Sequence, residues 1–253
     1  MINAMHHELL ISYHKDRLRR LPRGRFGMHR GKQVMYITYD PEDKTVSSKH
    51  KKIVRTDSAL GRFYYPLIKE SQGIEEELRA LEAEWKSTYV KAPREFKYPL
   101  KKRHEPIFTA DDFMRAKCNQ GGFENNENIE YNGQFLRSKN EFIACQALDK
   151  LGYECKVEIR FTPDGFTEFD PDVTYLIKEL QKPVFLEIDG AMDKHGYFVK
   201  SEGRKEKYFR AGFREFSDVI FFRLNDAHSF DLSRLISLIG SSILANMNDI
   251  LLP

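Results

Sequence analysis

The chain has 253 residues, 41% of them hydrophobic and 13% aromatic, which is enough apolar material for one large or two small domains and excludes global disorder. Charged residues make up 31%, and no apolar run approaches the roughly 18 residues of a membrane span, so no transmembrane helix is expected; a secretory signal is not expected either, because the N-terminal apolar run reaches only from Leu9 to Ser12. The net charge of +3 is uneven: residues 1–104 carry 23 Lys and Arg against 13 Asp and Glu, and the remainder carries 18 against 25. Cys118, Cys145 and Cys155 are odd in number and form no C-x-x-C pair, which argues against a disulfide scaffold or zinc knuckle and for a reducing cytoplasm.

Residues 6–21 read as a short basic helix stopped by Pro22 and Gly24. The stretch from Lys15 to Arg55 is the most basic, with 13 cations and 4 anions, interleaved with Phe26, Tyr36 and Tyr39. Its Arg19, Arg20, Arg23, Arg25, Arg30, Lys32, Lys49, Lys51, Lys52 and Arg55 are the candidate contacts to a nucleic-acid backbone, set against the plainer reading of a solvated basic face. QVMYITYD (33–40) alternates as a strand, PEDK (41–44) turns, and TVSSK returns as the second arm of a hairpin. Ser58 or Asp57 caps a helix from 59 to about 70, and Gly73 breaks it. Ile74, Leu78, Leu81, Trp85 and Tyr89 then form a helical stripe over 74–90, suited to packing in an antiparallel helix pair or to a homodimer seam.

Pro93, Pro99 and Pro106 interrupt residues 91–106; 109–117 is a short helix capped by Thr109; 119–133 is polar and loop-like. The expected organisation is a basic N-terminal region over 1–105, a linker over 106–133 and a second domain over 134–253. Within the last, 138–152 is a helix capped by Ser138, 155–161, 169–177 and 183–190 are strands, 201–212 is a helix, 218–224 is a buried strand and 232–247 is a closing helix. This order predicts an α/β (α+β) fold, a mixed sheet flanked by helices.

Acidic residues stand at the polar ends of two consecutive strands. Pro171-Asp172 opens one, and Glu187-Ile188-Asp189 closes the next after an apolar run. Glu187 and Asp189 share a face, because side chains alternate along a strand. Neighbouring strands lie about 4.8 Å apart, so if these two pair side by side Asp172 and Glu187 can share one divalent cation, and hard oxygen ligands suit Mg²⁺ or Mn²⁺.

With Glu141 in RSKNEF, Pro171-Asp172, Glu187-Ile188-Asp189 and EIDGAMDKH on the page, residues 134–225 resemble the PD-(D/E)XK nuclease superfamily, most of all its very-short-patch-repair-type endonucleases. The resemblance implies a restriction-endonuclease-like core and Mg²⁺-dependent hydrolysis of DNA phosphodiesters, with RNA left open as a partner and no membrane. It implies that Asp172, Glu187 and the Ile188 carbonyl hold the metal, and that Asp189 and Glu141 bind a second ion or orient water. One position departs: Asp189 stands where the third motif has its lysine. Lys205, three and four residues before Tyr208 and Phe209, is one candidate to replace that charge; His195, just beyond the EIDG turn, is the other. Each residue has a plainer reading. Ser138-x-x-Glu141 is a capping box, Lys205 can lay its stem over aromatics, and His195 can be a loop residue. The rival to the enzyme is a non-catalytic nucleic-acid-binding or assembly protein on a decayed nuclease fold.

Overall fold

The computed structural model describes residues 3–120, 129–190, 193–224 and 230–252. These contain six α-helices and three sheets, and the chain divides near Pro99/Leu100 into two compact units. No helix among the described residues is long and apolar enough to cross a membrane.

In the first unit, α1 (Ala4–Arg20) is capped by Asn3, whose Oδ1 accepts from the His6 N–H at 2.8 Å. Three antiparallel strands follow: β1 (Arg23–His29), β2 (Lys32–Tyr39) and β3 (Lys52–Arg55). The hairpin partner of β2 is therefore β1, not the expected TVSSK segment. The reason is the turn: Arg30 and Gly31 have φ of 50° and 74°, a left-handed pair whose twist matches that of the strands it joins. Met35, Ile37 and Val54 of the sheet close a core with Val46, Tyr64 and Ile68.

The long helix α2 (Ala59–Thr88) runs 30 residues without a break at Gly73, contrary to the expected helix pair, and carries Pro66 as well. Packing outweighs the weak propensity of Gly73. α1 lies along α2, with Arg17 on Glu70 at 2.8 Å, Lys15 on Glu82 at 2.8 Å, and the His7 ring edge-on to Trp85 at 5.4 Å. The apolar stripe of 74–90 thus meets α1.

Two glycines of α2 should respond oppositely to alanine. A Cβ at Gly61 would meet the carbonyl oxygens of Arg55 and Thr56 at 2.0 and 2.7 Å, both backbone atoms that cannot turn aside. Gly61→Ala should destabilise the unit by about 1–3 kcal/mol. A Cβ at Gly73 meets nothing within 4 Å, so Gly73→Ala should stabilise by about 0.5–1 kcal/mol. Urea midpoints of the two variants measure both; the same sign for both would refute the assignment.

The second unit begins at Leu100. The stretch expected as a linker is part of it: Thr109 caps α3 (Ala110–Arg115) in a capping box, and Phe108 and Phe113 enter the core beside Phe169, Phe185, Tyr208 and Phe213. β4 (Ile129–Tyr131) pairs with β5 (Gln134–Leu136), a hairpin the polar composition concealed. Of the expected loop over 119–133, residues 121–128 lie outside the described residues.

Then come α4 (Lys139–Lys150), β6 (Cys155–Val157), β7 (Val173–Ile177), β8 (Lys182–Asp189), α5 (His195–Arg210), β9 (Val219–Arg223) and α6 (Leu232–Met247). The sheet order is β6-β7-β8-β9, antiparallel except for the last pair, which α5 connects as a parallel crossover. This is the expected mixed sheet with helices. β6 is shorter than expected because Glu158 takes a left-handed φ of 45° and leaves the strand direction. β8 is buried along nearly its whole length, so its terminal acids are carried into the interior.

Candidate active site

Val173 faces Leu186 across the β7–β8 pair, and one more step of that register sets Asp172 opposite Glu187. The pairing is fastened at that step. Asp172 Oδ2 accepts from the Ile188 N–H at 2.7 Å, and its Oδ1 accepts from Arg137 Nη2 at 2.8 Å. Ile188, expected to offer its carbonyl, lines the same cleft and meets Asp172 through its N–H. Arg137 precedes the cap of α4 and also ion-pairs with Glu158, the residue of the left-handed backbone. A non-glycine residue held in that conformation, with its carboxylate buried against Arg137, is a strained element at the rim of the site.

α5 supplies the other wall. Ser201, Arg204 and Tyr208 are spaced three and four apart and so share a helix face. The Tyr208 hydroxyl donates to Glu187 Oε1 at 2.6 Å, and the Ser201 hydroxyl to Asp189 Oδ2 at 2.6 Å. Arg204 Nη1 donates to Glu187 Oε2 at 2.5 Å and stands 3.7 Å from Asp172 Oδ2 and 3.6 Å from Asp189 Oδ1. One guanidinium therefore sits among three carboxylates.

Glu141 both joins the cap of α4 and lines the cleft. Its N–H donates to the Ser138 hydroxyl at 3.2 Å, while its carboxylate accepts from the Arg137 N–H at 2.9 Å. The cleft has a volume of about 580 Å³ and is also lined by Asp170, Tyr197 and Lys207.

Lys205 and His195 are placed elsewhere. Lys205 Nζ pairs with Glu215 at 3.0 Å and lies 5.4 Å above the Phe209 and Phe221 rings, the snorkelling geometry of the plainer reading. His195 opens α5, is exposed and does not line the cleft. The cation beside the carboxylates is Arg204, one position before the lysine singled out in the sequence. Arg137, Glu158, Ser201 and Tyr208 also escaped the sequence reading as site residues; helical spacing relates Ser201 to Tyr208 but fits Arg204 and Lys205 between them equally.

Burial dominates the electrostatics. Glu187 is 1% exposed, and desolvation followed by the nearby Asp172 charge pushes its carboxyl up to about 7. Glu141 rises to about 7 for the same two reasons. Burial raises Asp172 as well, against the pull of Arg204. Burial and the Glu187 charge lift the Tyr208 phenol, which stays protonated as a donor. Burial alone would lower the Arg204 guanidinium, but the Glu187 and Asp172 charges outweigh it and hold the proton more firmly.

Among the described residues, no three His, Cys, Asp or Glu side chains stand, as placed, in an arrangement that holds a metal ion. The donor chemistry nevertheless fits a hard divalent cation. The oxygens are carboxylate oxygens at the floor of an open cleft, and Asp189 Oδ1 is buried with no hydrogen-bond partner. The position between them is taken by Arg204.

In the first unit, several of the candidate nucleic-acid contacts are engaged within the unit. Arg19 pairs with Glu95, Arg20 with Asp16, Arg55 with Asp57 and Lys52 with Asp43; Arg23 lies 4.4 Å over the Tyr39 ring. Arg25 lies 5.6 Å over Tyr36, and Arg30, Lys32, Lys49 and Lys51 are exposed at the β1–β2 turn and in the loop before β3. These five form no ion pair among the described residues.

No protein-family model matches the chain, and neither a curated protein nor a solved structure does.

Proposed function

We propose that the second unit is a restriction-endonuclease-like core and that the protein is a metal-dependent endonuclease hydrolysing DNA phosphodiester bonds. The observation that carries this reading is the side-by-side placement of Asp172 and Glu187 on paired strands at the floor of an open cleft, with a buried Asp189 oxygen that accepts no hydrogen bond beside them. Asp172, Glu187 and Asp189 are the residues to hold Mg²⁺ or Mn²⁺, which supplies Lewis-acid polarisation of the phosphate and an activated water. The chain's own groups orient those ligands. Tyr208 fixes one oxygen of Glu187, Ser201 one of Asp189, and the Ile188 N–H one of Asp172. Glu141, with a proton affinity matched to neutral pH, is placed at the cleft wall to take a proton from the attacking water.

The basic first unit provides the phosphate-backbone contacts in this reading, through Arg25, Arg30, Lys32, Lys49 and Lys51. Each phosphate contact contributes about 0.9 to the slope of log affinity against log salt, so Arg30→Ala with Lys32→Ala should lower the slope by about 2. Fluorescence anisotropy with a labelled duplex, titrated at several salt concentrations, reads this directly; an unchanged slope would remove the hairpin tip from the interface.

The enzyme itself is tested by incubating supercoiled plasmid with the full chain in Mg²⁺, Mn²⁺ or EDTA. Nicking that needs the metal supports the proposal. The rival reading, a nucleic-acid-binding protein on a decayed nuclease fold, is favoured by the Arg204–Glu187 ion pair and the missing motif lysine. Salt-sensitive binding without nicking in any of the three conditions would select it.

A further inference from the structure

We propose that Arg204 is an exchangeable internal cation: it balances Asp172, Glu187 and Asp189 when no metal is bound, and turns into the adjoining cleft to meet a substrate phosphate when a divalent cation takes its place. This rests on the metal-dependent reading of the same site. It also accounts for the charge that Asp189 cannot supply in the position of the motif lysine.

Three observations support it. The first is position. A single nitrogen, Nη1, lies 2.5, 3.6 and 3.7 Å from oxygens of Glu187, Asp189 and Asp172, so one charge compensates all three anions. Like charges this close cannot all remain ionised without a cation between them. Metal and guanidinium would serve the same carboxylates, so they compete.

The second is independence. The carboxylates have holders other than Arg204: Tyr208 for Glu187, Ser201 for Asp189, and the Ile188 N–H with Arg137 for Asp172. Their orientation therefore survives its departure. Arg204 itself makes only the one hydrogen bond to Glu187 among the described residues.

The third is an exit. The Arg204 side chain is 35% exposed while that of Glu187 is 2% exposed, and Arg204 lines the cleft along with Lys207. A rotation about its flexible stem carries the guanidinium toward open space and leaves the anions in place. A planar fork of donors is well matched to the oxygens of a phosphate, so the displaced group has a function on the substrate. Lys205, one residue on, faces Glu215 and has no such route.

Removing the competitor should tighten metal binding even as it removes a substrate contact. Mn²⁺ titration calorimetry on the metal-stripped full chain compares wild type, Arg204→Gln and Arg204→Lys. Arg204→Gln should bind Mn²⁺ at least about fivefold more tightly than wild type, within the usual range of coupling between two sites. Arg204→Lys should fall between them, since a shorter, single-point cation reaches the carboxylates less well. In plasmid cleavage at saturating Mn²⁺, Arg204→Gln should be slower than wild type despite its tighter metal binding, because the phosphate contact is gone.

Equal or weaker Mn²⁺ affinity in Arg204→Gln would overturn the exchange and leave the metal site standing. No Mn²⁺ binding by wild type and by both variants would overturn the metal-dependent reading, and the exchange with it. Should Arg204→Gln fold poorly without metal, the Mn²⁺-induced rise in its melting temperature becomes the readout. A larger rise than in wild type supports the exchange, and an equal or smaller one refutes it.

Discussion

On the proposed function, Asp172→Asn should lower the plasmid-nicking rate by on the order of 10²–10³-fold, the usual loss when one electrostatic group is taken from a preorganised site. Lys205→Ala should leave the rate within about twofold, as for a substitution remote from the chemistry. The contrast follows from geometry. Asp172 is opposite Glu187, is held through both oxygens, and shares the Arg204 guanidinium with Glu187 and Asp189. An amide there keeps size and shape but gives up the negative charge that attracts a cation, and it turns a donor toward either Arg137 or the Ile188 N–H. Lys205 instead loses an ion pair with Glu215 and contacts with two aromatic rings, all outside the cleft. That costs under about 1 kcal/mol of stability. Rates of both variants in the same Mg²⁺ assay decide the matter. A large loss in Lys205→Ala with none in Asp172→Asn would invert the assignment of the site.

The legible part of this site was the part governed by short-range periodicity. Alternation along β8 placed Glu187 and Asp189 on one face, and two consecutive strands brought Asp172 beside them. The cap at Ser138 and the stop at Gly152, whose φ is 78°, delimited α4 for equally local reasons. The choice between Arg204 and Lys205 was different. Both lie one turn before Tyr208, at four and three residues, and both satisfy a helical stripe. They differ by one residue's rotation about the helix, and only the docking of α5 on the sheet determines which meets the carboxylates. Nothing local distinguishes them, since Ser201 lies three before Arg204 and four before Lys205, both same-face spacings.

Arg137 and Glu158 were hidden by another kind of fact. Glu158 reaches Arg137 because its backbone leaves the strand at a left-handed φ, and a glutamate gives no sign of that in sequence. The first hairpin was missed because RGRFGMH carries two glycines, two arginines and a histidine, which masks a strand whose partner lies two residues away across Arg30 and Gly31. Likewise Phe108 and Phe113 read as isolated apolar residues in a polar stretch. Their role became visible only with the aromatic cluster they join.

In EDTA the chain should show a stability that depends on pH in the direction opposite to ordinary surface carboxylates. Glu187 and Glu141 rise from an ordinary 4.5 to about 7 in the folded chain. Between those values the folded state retains protons that the unfolded state has released. Stability then falls as pH rises, with a limiting slope of about 1.4 kcal/mol per pH unit for each group. The contribution is fully present below pH 4.5 and is lost as pH passes through about 7. Across that range each of the two carboxyls contributes on the order of 3 kcal/mol. Urea unfolding in EDTA from pH 5 to 8 reads it against Glu187→Gln with Glu141→Gln, which carries amides at both positions and cannot titrate there. The difference in stability between wild type and the double variant should shift toward the variant as pH rises, whatever their offset at pH 5. Parallel profiles would mean that water reaches these carboxylates, and that the protons held at the site at neutral pH belong to neither of them.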